Sequence, residues 1–208
     1  MRRWLKLLSV SAFVAALTGA ASEAHALDYG HGGQFGLRAA LTAGYRMVLR
    51  YDESPYCRDY DVTKPASDQA QFCGFPAPLA LDLGLSFAPL DFVEPYLWAR
   101  FGLAREKETN SKPLTLVGAG ARLYTMSGSP LKIFVEPAVG LELEGGNGDP
   151  RFVNKTYRND LVFHLAAGPQ IDLASNVGLY ADAGLNLGVL RALQSSLDLR
   201  IGVQGRFP

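Results

Sequence analysis

Between Phe35 and Leu49 every odd position is apolar, from Phe35, Leu37, Ala39 and Leu41 through Ala43, Tyr45, Met47 and Leu49. Arg38, Thr42 and Arg46 stand among the even positions. A period of two sustained over this length predicts a strand with one greasy and one polar face. The same pattern returns at 79–87, 93–103, 117–123, 131–143, 161–171, 177–187 and 197–207. Eight alternating segments predict an all-β chain, either a soluble barrel of the lipocalin kind or a barrel that crosses a membrane.

Alternation does not say which face is inside, but glycine does. Gly36, Gly84, Gly118, Gly120, Gly168, Gly184 and Gly202 all fall on the polar face. A solvated strand face has no reason to collect residues that weaken strands. A narrow lumen does, because small residues leave room for neighbouring Arg, Tyr and Trp. The polar face is therefore read as the interior and the greasy face as the side that meets lipid. The links between segments alternate accordingly: 52–77, 105–113 and 145–156 are long, whereas 89–91, 127–130 and 174–176 are short. Link 190–194 is of modest length. Short turns on one rim and longer loops on the other suit an antiparallel, eight-stranded, up-and-down transmembrane β-barrel with both chain ends on the periplasmic side. Phe35, Phe87 and Phe207 then share the periplasmic rim, where an aromatic girdle belongs.

The first residues do not fit this pattern. Arg2, Arg3 and Lys6 precede an apolar stretch that ends in Ala24-His25-Ala26. This is the plan of a secretory signal peptide, so residues 1–26 are read as a leader and 27–208 as the barrel. Losing that leader removes three basic groups and Glu23, leaving 17 basic against 19 acidic groups. Such balance excludes a basic nucleic-acid binder. Export also places Cys57 and Cys73, the chain's 2 cysteines, where a disulfide can form. Both fall in link 52–77, whose Tyr56, Tyr60, Phe72 and Phe75 suit either an extracellular ligand or a loop that is merely rigid.

The segment Leu199-Arg200-Ile201-Gly202-Val203-Gln204-Gly205-Arg206-Phe207 closes on an aromatic residue, followed here by Pro208. With the eight-segment plan, it resembles the small outer-membrane β-barrels of Gram-negative bacteria, of the OmpA-barrel and OmpX-like type. The resemblance spans essentially residues 27–207. It implies a bacterial outer-membrane location, contact with outer-membrane lipid, and handling by the barrel-assembly machinery during biogenesis. No cofactor is expected.

Candidate chemistry concentrates on the polar face. Arg38, Arg46, Arg100, Arg122, Lys132, Arg200 and Arg206 lie there, with Asp82, Glu94, Glu136, Glu142, Asp172, Asp182 and Asp198. A selective pore would carry an excess of one sign. Equal numbers point instead to an internal charge network that plugs the lumen, since eight strands enclose a space that side chains just fill. Glu94 and Glu136 are each expected to neutralise a buried cation. Both belong to a repeated Phe-Val-Glu-Pro, at 92–95 and 134–137, read as a way of starting a strand after a short turn. His164 is the one histidine within an alternating segment, and it falls on the lumen side with no Ser or His evident beside it. His31, in the Gly-rich approach to the first strand, has no partner by spacing. The chain is thus expected to be a non-enzymatic barrel with a structural or loop-binding role. The competing readings are a lipid-modifying hydrolase and a narrow pore.

Overall fold

The computed structural model describes residues 29–49, 72–104, 115–126, 128–143, 159–190 and 193–208. The eight segments form strands β1 (Phe35–Leu49), β2 (Phe72–Phe87), β3 (Val93–Gly102) and β4 (Thr115–Thr125), then β5 (Leu131–Leu143), β6 (Asp160–Ala174), β7 (Val177–Gly188) and β8 (Leu193–Phe207). Each pairs antiparallel with its sequence neighbours, and β8 returns to β1 to close the barrel. The ring of strand pairings is thus closed, which is what a sheet in lipid requires. A lateral path from Leu37 runs through Leu85, Leu97, Ala119, Val139, Phe163, Leu187 and Ser195. It meets β1 again at Met47, ten residues along. That stagger tilts the strands by roughly 40°.

Burial separates the two faces. Leu41, Leu85, Leu97, Val139, Leu165, Leu199 and Ile201 are exposed around the outside, while Arg122, Lys132, Phe134 and Glu136 are fully buried within. Phe35 stacks on Phe87 and pairs laterally with Phe207 at the rim carrying the short turns. Tyr45, Phe72, Phe101 and Phe163 are exposed toward the opposite rim. The glycines of the polar face sit against bulky lumen groups. A Cβ on Gly202 would stand 2.5 Å from the Tyr180 ring, and one on Gly36 2.3 Å from Ser86 Oγ.

Three features differ from the sequence reading. Strand β2 begins at Phe72, so Cys73 and Phe75 are strand residues and not loop residues. The cause is a bulge: Thr42 faces Ala80 and Gly44 faces Ala77, leaving Pro78 and Leu79 opposite Ala43 alone. The extra residue reverses the alternation, so Phe75 turns inward and Phe72 outward. Pro137 does not start a strand but lies within β5, facing out. The β4–β5 ladder is interrupted there between Gly120↔Ala138 and Leu123↔Val135, with the register unchanged on either side, because proline has no N–H to give it. Pro169 interrupts β6–β7 between Ala167↔Ala183 and Gln170↔Tyr180 in the same way. Finally, His31 is not isolated but is carried into the lumen.

Candidate functional site

The site is the lumen, a column of polar side chains in which every strand takes part. Its centre is Glu136 on β5. Arg38 Nη1 donates to its Oε2 at 2.8 Å, Arg122 Nε to the same oxygen at 2.7 Å, and Arg200 Nη2 to Oε1 at 2.8 Å. Three guanidinium groups from β1, β4 and β8 thus converge on one carboxylate. Arg200 also donates through Nε to Asp182 at 2.8 Å, which supplies a second negative charge. The Arg122 guanidinium lies 3.9 Å from the Phe134 ring centre and 4.4 Å from that of Tyr180, so the aromatic faces take up part of the remaining charge.

Toward the loop rim, Arg100 grips Asp82 with two bonds, Nε to Oδ1 at 2.7 Å and Nη2 to Oδ2 at 2.9 Å, and its third nitrogen reaches Asp198. Such fork geometry is the strongest form of Arg–carboxylate pairing. Thr42 donates to Asp82 at 3.0 Å. Nearer that mouth, Arg46 Nη2 is 3.8 Å from Glu142. Gln194 donates to both Glu142 and Asp160, at 2.9 and 2.7 Å. Recesses on either side of Arg46 have room for little more than a water molecule.

Toward the turn rim the chemistry changes. Glu94 accepts from Ser86, from Gln204 and from the Tyr124 hydroxyl, the last at 2.7 Å. All three donors are neutral, so the expected direct cation partner for Glu94 is replaced by a cradle of hydroxyl and amide groups. Asp172 holds the ionic role at this level, accepting from Lys132 Nζ at 2.5 Å, Arg206 Nη1 at 3.0 Å and Gln170 at 2.8 Å.

His31 completes this end. It is 1% exposed, with Nε2 2.9 Å from Asp172 Oδ2 and 2.6 Å from Lys132 Nζ, and its ring stands edge-on to Tyr124. Lys132 also donates to the Tyr29 carbonyl. Gly32 N–H donates to Asp91, and Gly33, at φ 80°, donates to the Ala88 carbonyl. Residues 29–33 are therefore tethered at the turn mouth. Burial holds the His31 imidazole below its ordinary pKa against the pull of Asp172, and Arg206 and Lys132 act in the same direction as burial.

Every charged residue singled out on the polar face is buried in this column. Asp160, at the head of β6, joins them and was not anticipated, so the described residues bury eight carboxylates with seven Lys or Arg. His164 is buried on the lumen side and hydrogen-bonds Asn186 at 2.7 Å. Asn186 in turn donates to Ser196 and Asp198. No serine hydroxyl is bonded to His164 among the described residues, so the group has no nucleophile–base pair of the kind a hydrolase uses. Cys73 is half-buried in β2 and is not a free thiol. Cys57, the rest of 52–71 and residues 1–26, expected to be a leader, lie outside the described residues.

No protein-family model and no curated protein matches the chain. Solved structures do. The N-terminal β-barrel domain of Pseudomonas aeruginosa OprF matches with a TM-score of 0.54 at 13% identity, over 85% of this chain and 98% of that one. Neisserial surface protein A matches at 0.55 and 13%, over 84% and 99%. OprG of Pseudomonas aeruginosa matches at 0.52 and 15%, over 86% and 99%. Closed by eight antiparallel strands, greasy outside and ionic within, the chain has the fold of the small bacterial outer-membrane β-barrels.

Proposed function

We propose that the chain is a non-enzymatic integral barrel of the outer membrane whose lumen is a structural plug and whose outward role is carried by its loops. The observation that supports this best is the convergence of Arg38, Arg122 and Arg200 on Glu136 at the barrel's centre. Buried charges that satisfy one another leave none free for a passing ion or a reacting substrate. These ion pairs would have to be broken and re-solvated to open a path. The outward links, that of residues 52–71 foremost, would meet an extracellular ligand, and outer-membrane lipid would surround the strands. We further propose that Cys57, the only other cysteine in the sequence, is the partner of Cys73 and ties that loop to β2. Quantitative thiol labelling before reduction would refute the bridge. Residues 1–26 are taken as a cleaved leader.

The test of the whole reading is biochemical. The protein should partition with outer membranes, resist extraction by salt and alkali, and shift its gel mobility on heating. Phospholipid or lipid A incubated with the purified barrel should come back unmodified. Deacylated lipid that disappears in His164→Ala would instead establish the hydrolase reading.

A further inference from the structure

His164 and Glu136 are diagonal neighbours on the paired strands β6 and β5, with His164 Nε2 4.0 Å from Glu136 Oε1. The protonation of the ring follows from its other side. Asp198 is an acceptor, so the Asn186 amide nitrogen that lies 2.6 Å from it is fixed as a donor. That turns the Asn186 amide oxygen to His164 Nδ1, at 2.7 Å, and Nδ1 must carry the hydrogen. In the neutral ring Nε2 is then an acceptor. It confronts a carboxylate oxygen that is itself an acceptor and already receives Arg200. Two buried acceptors at this separation are too far apart for one hydrogen bond, and suit a bridge through one small molecule that donates twice.

Two buried donors lie in the same layer. By hydrogen-bond geometry the Tyr96 hydroxyl and Trp98 Nε1 have no partner among the described residues, although the two residues are only 4% and 6% exposed. They overlie Gly120 and Gly118, where a Cβ would come within 2.6 Å and 2.7 Å of them. Ala138 pairs laterally with Gly120 on one side and with His164 on the other, and the Trp98 and His164 rings are 5.5 Å apart. The missing Cβ atoms at Gly118 and Gly120 thus let the indole N–H and the Tyr96 hydroxyl lie close against the wall.

We propose that this layer is a binding site for a single buried water. It donates to His164 Nε2 and Glu136 Oε1 and accepts from the Tyr96 hydroxyl and the Trp98 indole N–H. Two donations and two acceptances satisfy a water completely. A cation is disfavoured by the indole N–H, and an anion by the Glu136 carboxylate and the Nε2 lone pair. The site makes His164 a positioning residue for solvent and goes beyond the closed-lumen reading, since it stands whether or not the barrel conducts.

The experiment is nuclear magnetic resonance on the full barrel in nanodiscs, labelled with 15N at tryptophan and histidine. Trp98→Phe identifies the indole signal, and His164→Gln identifies the imidazole. The expected result is a cross-peak from a long-lived water to the Trp98 indole N–H, with His164 protonated at Nδ1 alone. His164→Gln keeps an acceptor and should keep the cross-peak, whereas His164→Leu should abolish it in protein that still shows heat-modifiable mobility. A Trp98 indole without a water cross-peak in the wild type, or a hydrogen on His164 Nε2, overturns the proposal. If His164→Leu fails to fold, the wild-type spectrum and His164→Gln still decide it.

Discussion

Glu94 and Glu136 sit in the same tetrapeptide, Phe-Val-Glu-Pro, 42 residues apart, yet the barrel treats them differently. In both copies Glu turns inward and Pro outward. Phe92 precedes β3 and is 52% exposed, whereas Phe134 lies within β5 and is fully buried. Pro95 keeps its lateral pair with Ala121, while Pro137 breaks the ladder to β4. Glu136 collects three arginines, and Glu94 three neutral donors. Competition for cations explains the contrast. At the level of Glu94, Lys132 and Arg206 are taken by Asp172, which leaves Glu94 to hydroxyl and amide donors; at mid-barrel Glu136 is the charge on which three arginines converge. Arg122–Glu136 also spans the β4–β5 gap beside Pro137, so a side-chain pair ties the strands where backbone bonds are missing.

The largest expected effect is therefore at Glu136. Glu136→Ala leaves buried guanidinium groups without their shared partner and should destabilise the barrel by about 3–5 kcal/mol, read as a lower denaturant midpoint in reversible unfolding. Glu94→Ala breaks hydrogen bonds from neutral donors and no direct ion pair, and should cost about 1–3 kcal/mol, with Glu94→Gln milder still. Equal losses at the two sites would break the comparison. Pro137→Val sharpens it further. The new N–H faces the Ala121 carbonyl and should appear as a slowly exchanging amide, with a stability change under about 1 kcal/mol because the unfolded chain gains freedom as well.

How legible this was from the sequence depends on range. Strand identity, inside and outside are local properties, carried by alternation and by where glycine falls; even the sparse fourth segment formed β4. The start of β2 was hidden because the bulge at Pro78 and Leu79 reverses the parity that alternation relies on. Partners within the lumen were not legible at all. Asp172 meets His31 across 141 residues of sequence, a contact set by barrel closure that no spacing rule contains. Glu94 was expected to hold a cation for the same reason: sign can be read from sequence, but not which side chain at the same depth arrives first.

The smallest expected effect concerns the turn mouth. Burial lowers the His31 pKa in the closed state, so the released segment binds the extra proton. The closed arrangement is then fully stable above about pH 6.5 and weakens as pH falls from there through the lowered value. Exchange protection of the Gly32 and Gly33 amides should follow that course. In His31→Ala it should be weaker and lose its pH dependence over this window, and a pH-independent wild type would remove His31 as the cause.

The central claim is that the charge network closes the lumen, and single-channel recording in planar bilayers tests it most directly. Wild-type barrel inserted at neutral pH should give no steady porin-sized conductance at either polarity. Stable currents of that size from the folded, heat-modifiable protein would contradict the account, because ions would then be crossing the layer in which Arg38, Arg122 and Arg200 are held on Glu136.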